Sequence, residues 1–547
     1  VQVDYTGKDY VLTLGRGEEV DMRSLMVERG LDFSKTDSRP GHAVFYSSDP
    51  WPVADMAHIA TPAAQKELAP IFARIKASSA DSSGAHFKMP PGKELWGFQK
   101  ASLEYVLQRN QGLIADAPGL GKTPQAIVYA NEIGAKRVLV ICPAAIRHQW
   151  ARRIKEWSTM AWPFVIYPVT SARNGIHPTA EWTVISYALA RNPALVAAIA
   201  AQRFDLCIID ESHYLKDGEA SQTKAIYGMA DGMYHYKRGE DPLPSITSRC
   251  AHILALSGTP IVNRPLEAYT TSRALCWDAI DYMSLDRFRQ RYNPQKHREF
   301  RGADGKNKHA TDEKVGRVRD LGNRMRGMFM SRHAKRDVMT QLQTPRYEVV
   351  QMEETGAVRA ALKAESLLGL DMDVLQTTND YQILGHIAQV RREMGVAVAP
   401  QAADFVKVLL DGGEDKVVVF AWHIEVLNIL QEALQRYGVL RIDGSTSPKN
   451  RQAYVDTFIR DPRMQVMLGN IQSMGTGVDG LQEVCTRCVL VEPSWTPGEN
   501  QQAVDRLDRG GQTGEVHADF LVAPASIAEK ILVAALEKAQ VIHKTIG

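Results

Sequence analysis

No apolar run in these 547 residues approaches the roughly 20 needed to span a bilayer, so no membrane partner is expected. Cysteine is scarce. Six residues scattered over this length make no disulfide framework and point to a reducing compartment. Cys485 and Cys488 have CxxC spacing, but no second Cys or His pair lies close in sequence, so buried thiols are expected rather than a zinc site. No short-period repeat is visible, and the opening residues mix Asp4, Lys8 and Asp9 among apolar ones, unlike a signal peptide. A large net charge is missing too. The formal value is +2, yet the spread is uneven: residues 287–336 hold 16 Lys and Arg against 5 Asp and Glu. Blocks of this kind line polyanion-binding surfaces.

The chain is too long for one core, and length alone suggests about three or four domains. Its 44% hydrophobic and 23% charged residues are ordinary for a globular protein. Residues 1–88 form a separate N-terminal region. It opens with a hairpin pattern around Thr6-Gly7-Lys8 and continues with helical spacing over 63–77. The small polar stretch 78–84 reads as a linker. From Leu95 onward, short apolar strands (112–114, 138–141, 183–185, 206–209, 252–256) alternate with helical segments. A second series follows the basic block (416–420, 439–442, 465–468, 488–491). Alternation of this kind predicts parallel sheets covered by helices. The expected class is α/β, with two tandem parallel-sheet domains: 89–345, carrying a basic protrusion at about 264–340, and 346–547.

Asp116-Ala117-Pro118-Gly119-Leu120-Gly121-Lys122-Thr123 follows an apolar strand and opens a helical pattern at Ala126, Ile127, Tyr129 and Ala130. Such a loop cradles phosphates: glycines admit backbone N–H groups, Lys122 reaches the β- and γ-phosphates, and Thr123 ligates Mg²⁺ through its hydroxyl. Asp116 stands where the general pattern has glycine. Asp210-Glu211-Ser212-His213 ends a buried-strand run and brings two carboxylates to a strand's C-terminal end. Asp210 is expected to hold Mg²⁺ through water, Glu211 to act as general base, and His213 to sense phosphate or bond locally. Arg506 and Arg509, one helical turn apart within Asp505-Arg506-Leu507-Asp508-Arg509-Gly510-Gly511-Gln512, are candidates for the positive charge that phosphoryl transfer needs.

Taken together, these blocks resemble the Swi/Snf-type family of double-stranded DNA translocases within helicase superfamily 2. Leu95-Trp96-Gly97-Phe98-Gln99 resembles the adenine-reading block, with Gln99 in the base-reading place. Val140-Ile141-Cys142-Pro143-Ala144, Gln149-Trp150 and Leu256-Ser257-Gly258-Thr259-Pro260 with Asn263-Arg264-Pro265 follow in the family's order. The second series matches through Arg441-Ile442-Asp443-Gly444-Ser445-Thr446, Ser473-Met474-Gly475-Thr476-Gly477-Val478, Trp495-Thr496-Pro497 and the Arg506–Arg509 block. The match covers about residues 95–522. Ala117-Pro118 in place of Glu-Met, Trp96, Gly97, Asp508 in place of His and Gly510 in place of Ile depart from the pattern, and none removes a catalytic group. Asp210 to Lys216 resembles the annealing-helicase branch.

The resemblance implies a DNA-dependent ATPase using ATP and Mg²⁺. Its ATP contacts would be Gln99, Asp116, Pro118, Gly119, Leu120, Gly121, Lys122, Thr123, Gly477, Asp479, Arg506 and Arg509. Its backbone-gripping DNA contacts would be Pro143, Ser186, Thr259, Ser445, Thr446, Gln472, Ser473 and Trp495. The basic block is expected to add a second grip. The partner is double-stranded or branched DNA. The chain is expected to act as a monomer, in the cytoplasm of a bacterial or phage-infected cell or in a eukaryotic nucleus. The competing readings are a strand-separating DNA or RNA helicase and a nucleic-acid scaffold without turnover. A nucleotide switch would account for the first series only.

Overall fold

The computed structural model describes residues 1–14, 24–38, 42–228, 233–234, 243–262, 264–301, 307–313, 315–339, 343, 345–367, 381–474, 478–494, 497–526, 528–530 and 532. The chain divides into two compact units. One takes in Val1–Ala117 and Gly121–Val338, and the other Pro118–Leu120 and Met339–Ala539.

The first unit begins with a small antiparallel sheet, order β1-β2-β4-β3, from β1 (Gln2–Tyr5), β2 (Tyr10–Leu14), β3 (Asp32–Phe33) and β4 (Ala43–Ser47). The hairpin register pairs Tyr5 with Tyr10 across the predicted turn. Alternation along β2 buries Tyr10, Leu12 and Leu14, which pack with Val3 and Phe45 against helix α1 (Pro62–Ala77), which Thr61 caps through its side-chain oxygen. The main sheet of this unit runs β15-β5-β12-β9-β6-β8-β7. Its strands are β5 (Gln111–Ile114), β6 (Val138–Cys142), β7 (Ile166–Pro168), β8 (Trp182–Ser186), β9 (Phe204–Asp210), β12 (Cys250–Leu256) and β15 (Met330–Ser331). Every pairing in it is parallel. All five residues of β6 are wholly buried, which is why it reads as an unbroken apolar run: helices cover both faces. Two short hairpins branch off, β10 (Met233–Tyr234) with β11 (Leu243–Pro244), and β13 (Gln295–Arg301) with β14 (Asn307–Glu313).

The second unit repeats the plan with a six-stranded parallel sheet, order β16-β21-β20-β17-β19-β18. These are β16 (Arg346–Gln351), β17 (Val417–Ala421), β18 (Val439–Ile442), β19 (Val466–Asn470), β20 (Arg487–Leu490) and β21 (His517–Val522). Cys485 and Cys488 are buried here, and the Cys485 thiol donates to the Lys416 and Arg487 carbonyls.

Two expectations change. The stretch 78–84 begins not as a free linker but as a strap on the first sheet. Ser78 is wholly buried, its carbonyl accepts from Arg332 N–H at 2.8 Å and Ser331 Oγ at 3.1 Å, and Ser79 Oγ accepts from Arg326 at 2.6 Å. Small polar residues here reflect close packing, not chain freedom. The basic block is also partly an internal structure. Arg324, 1% exposed, binds Asp320 at 2.8 Å, Asp281 at 2.9 Å and also Asp49; Arg291 joins Asp320 at 2.7 Å and Asp49 at 3.0 Å. The cluster clamps the N-terminal region onto the helix Val318–Met328. Gly327 of that helix lies under Trp51, so closely that an added Cβ would stand 2.5 Å from the indole ring. Losing one partner of such a buried cluster costs about 3–5 kcal/mol, because it leaves an unanswered charge.

Candidate active site

The C-terminal ends of five neighbouring strands assemble the site. In register, Leu256 lies beside Ile114 and Asp210, and Cys142 beside Ser186, so the segments leaving β5, β12, β9, β6 and β8 share one edge. The loop after β5 enters helix α3 (Lys122–Glu132) through Gly121 at φ +73°, with no side-chain cap. Its N-terminal amides are therefore left for an anion. Gly119 also has positive φ, +83°, a conformation that disfavours other residues. At Gly121 a Cβ would also stand 2.5 Å from Gln99 Nε2. Gln99 thus lies against the loop, while its Oε1 accepts from Trp96 N–H at 2.9 Å to close the start of α2 (Gly97–Leu107). Pro118 is half-buried, Leu120 buried and Thr123 half-buried.

Lys122 Nζ donates to the carbonyls of Asp116 (2.8 Å) and Ala117 (3.3 Å). Burial lowers its pKa, opposed by the carboxylates of Glu211, Asp116 and Asp210. Asp210 accepts from Trp150 Nε1 at 2.8 Å and from Glu211 N–H at 3.0 Å, and its carbonyl accepts from Tyr187 OH at 2.6 Å. Burial, reinforced by Glu211, raises its pKa to about 7. A cation at this edge would relieve that cost. The carboxylate of Asp210 and the hydroxyl of Thr123 are hard oxygen donors of the kind Mg²⁺ takes. Glu211 adopts the left-handed region at φ 55°, ψ 51°, a conformation rare for a residue with a side chain and concentrated at functional sites. His213 Nδ1 lies 3.1 Å from Ser257 Oγ and 3.3 Å from Glu211 Oε2, which ties the segment after β9 to the segment after β12. Burial lowers its pKa to about 4, so the ring is neutral.

Asp116 contributes differently from the expectation of a phosphate contact. Its wholly buried carboxylate accepts from Gln125 Nε2 (3.0 Å), from His333 N–H (3.0 Å) and from Ser102 Oγ (3.3 Å), and faces His333 Nδ1 at 2.8 Å. Sequence reasoning missed His333. A buried carboxylate demands a donor, but nothing local says which residue supplies it. Of the DNA candidates on this edge, Pro143 and Ser186 are buried and Thr259 is half-buried, its N–H donating to Ser257 Oγ at 3.2 Å.

In the second unit, Arg509 pairs with Asp479 at 3.1 Å, and Arg506 donates to the Val478 carbonyl at 3.0 Å. Ser445 Oγ donates to Asp443 at 2.6 Å and Thr446 Oγ1 accepts from Asp443 N–H at 3.1 Å. Arg451 bridges the carbonyls of Thr446 and Ser473, each at 3.1 Å. Ser445, Thr446 and Ser473 are thus brought together. Gly477, Trp495 and Asn263 lie outside the described residues, as does the side chain of Gln472.

Residues 98–231 match the SNF2-related domain and residues 401–511 the helicase conserved C-terminal domain. Residues 98–231 thus carry the likeness to an SNF2-related domain and residues 401–511 that to a helicase C-terminal domain. The chain is 28% identical over 469 residues to the DNA annealing helicase and endonuclease ZRANB3 of Homo sapiens, covering 83% of the chain and 40% of that protein. It is 26% identical over 451 residues to the SWI/SNF-related matrix-associated actin-dependent regulator of chromatin subfamily A-like protein 1 homolog of Caenorhabditis elegans, covering 79% and 59%. It spans less than two thirds of the length of these curated relatives. Against the solved Sulfolobus solfataricus SWI2/SNF2 ATPase core in complex with dsDNA, the identity is 17% and the TM-score 0.38, over 83% of this chain and 94% of that one. No described helix is long and apolar enough to cross a membrane.

Proposed function

We propose that the chain is a DNA-dependent ATPase that moves along double-stranded or branched DNA, of the kind that remodels forks or anneals strands. The observation that carries this reading is the convergence of Lys122, Asp210 and Glu211 at one sheet edge within an SNF2-related domain, with a helicase C-terminal domain following. The name of the human relative, an annealing helicase, supports the fork-remodelling sense.

In this reading Lys122 and the amides entering α3 hold the β- and γ-phosphates. Asp210 and Thr123 hold Mg²⁺, which neutralises phosphate charge. Glu211 takes the proton of the attacking water, and Trp150 keeps the Asp210 carboxylate aimed. Gln99 reads the base. Arg506 and Arg509 offer their guanidinium charge to the transferring phosphoryl group, an effect worth about 10³–10⁵ in rate for arginines in that role. Ser445, Thr446 and Ser473 grip the phosphate backbone with hydroxyls and amides, which are indifferent to sequence. The chain acts as a monomer wherever its DNA is, in a bacterial or phage-infected cytoplasm or a eukaryotic nucleus.

ATP turnover measured with blunt duplex, branched DNA and single strands tests the reading, alongside triplex displacement on blunt duplex. Duplex-stimulated turnover with triplex displacement is expected. Unwinding of a tailed duplex without triplex displacement would make the chain a strand-separating helicase instead, and DNA binding without turnover a scaffold.

A further inference from the structure

A carboxylate inside a loop built for a triphosphate poses an electrostatic problem. Asp116 lies wholly buried where β5 passes into the loop, and its carbonyl holds Lys122 Nζ. Its negative charge would oppose the anion that Lys122 is placed to hold. The fold answers with one residue 217 positions along the chain.

His333 is 2% exposed. Its Nδ1 stands 2.8 Å from Asp116 Oδ1 and its Nε2 3.0 Å from the Ala80 carbonyl oxygen. A carbonyl only accepts, so Nε2 carries a proton. An ionised carboxylate only accepts, so Nδ1 carries one as well. The ring that satisfies both contacts is an imidazolium. The backbone closes the same clasp: His333 N–H donates to Asp116 Oδ1 at 3.0 Å, and Ala117 N–H donates to the His333 carbonyl at 3.0 Å. Ser102 Oγ lies 3.2 Å from Nδ1 and the Phe98 ring is 5.6 Å from the imidazole, centroid to centroid. The charged groups in play are Asp116 at the start of the loop, Asp81 on the strap, Lys122 at the start of α3 and Arg332 beside the ring. Burial works against the charged ring, but the Asp116 carboxylate outweighs it and the pKa lies above the ordinary histidine value.

We infer that His333 is a positioning residue for the nucleotide loop: as an imidazolium it neutralises and aims Asp116, so that Lys122 meets the triphosphate without an opposing charge. The inference rests on the proposed ATPase reading, but its test separates from that reading.

Three full-chain variants divide the two contacts. His333→Asn keeps a donor near the Nδ1 position, facing Asp116. His333→Gln keeps one near Nε2, facing Ala80. His333→Ala keeps neither. With duplex DNA present, His333→Ala and His333→Gln are expected to raise KM for ATP roughly tenfold or more with kcat changed much less, the signature of lost ground-state binding. His333→Asn, which restores the donor to Asp116 but not the charge, is expected to recover part of that rise. In the unsubstituted chain KM for ATP climbs as pH rises and the imidazolium is lost; in His333→Asn that climb is absent. Asn and Gln place the same burden on folding, so equal losses in both would overturn the inference. So would a drop in kcat at constant KM, or a pH profile unchanged by His333→Asn. If the unsubstituted chain turns over no ATP with any DNA, the ATPase reading falls. Titration of the same three variants with a fluorescent ATP analogue then decides the His333 inference, with the same order of affinities expected.

Discussion

Both parallel-sheet units bury charge, Arg324 in the first and Asp519 in the second, but they differ in how open their candidate site residues lie. The first buries and answers them. Lys122 is held by the Asp116 carbonyl, Asp210 by Trp150 and Asp116 by His333. The second leaves its signature pair partly open, with the Arg509 side chain 20% exposed and its partner Asp479 24% exposed. A site that must hold a triphosphate gains from donors fixed before the ligand arrives, because no reorganisation is then needed. A part-exposed ion pair stabilises little by itself. In the proposed function the first unit holds the nucleotide and Arg509 of the second responds to it.

The contrast can be broken in order of effect. Lys122→Ala should abolish DNA-stimulated ATP hydrolysis, measured by phosphate release; normal turnover would end the holding role of the first unit. Arg509→Ala should lower kcat by about 10³ or more while a fluorescent ATP analogue still binds. Loss of binding instead would put Arg509 in the holding half. Arg324→Ala should destabilise the first unit by about 3 kcal/mol, the low end for a broken buried cluster, because Arg291 still answers Asp320 and Asp49. Faster hydrogen exchange is expected in the helix Val318–Met328 and the N-terminal sheet, with β17 and β19 unaffected. Trp150→Phe removes one bond to a charged group, worth about 1.5–3 kcal/mol. Because that bond lowers the Asp210 pKa, its loss should move the acid limb of kcat/KM to higher pH.

The smallest effect concerns His213. Its folded-state pKa is depressed from 6.5 to about 4, so the unfolded chain binds a proton that the folded one refuses. The contribution to stability is full above pH 6.5 and lost as pH falls toward 4. Asp210, raised to about 7, runs the opposite way, its handicap easing as pH falls. Replacing His213 with Gln should therefore flatten the acid-side loss of protection in α3 and β9, read as hydrogen exchange between pH 6.5 and 4. An unchanged slope would show that His213 is not held neutral.

Much of this was legible in the sequence. Apolar strand runs, the glycines at 119 and 121, and the Asp210-Glu211 pair all carry local signals, because sheets buried on both faces and tight phosphate loops constrain neighbours in sequence. What was not legible joins distant segments. Asp49 meets Arg324 from 275 residues away, and Asp116 meets His333 from 217; ion pairs of that reach leave no period to read. The basic block misled for the same reason. Its charge count was right, but composition does not say which arginines face acids inside. The left-handed backbone at Glu211 is likewise set by the fold around it, since glutamate gives no local reason to adopt it.

β15 is the last strand on its side of the first sheet, and beyond it runs the strap, whose Ser78 carbonyl accepts the Arg332 N–H. An uncovered sheet margin is a template on which other chains add strands. The opposite margin, β7, ends in Pro168, a residue that cannot donate to a ladder. The short polar segment 78–80 therefore also covers that margin: a chain beginning after Ala80 would leave the β15 edge without the bonds to the Ser78 carbonyl.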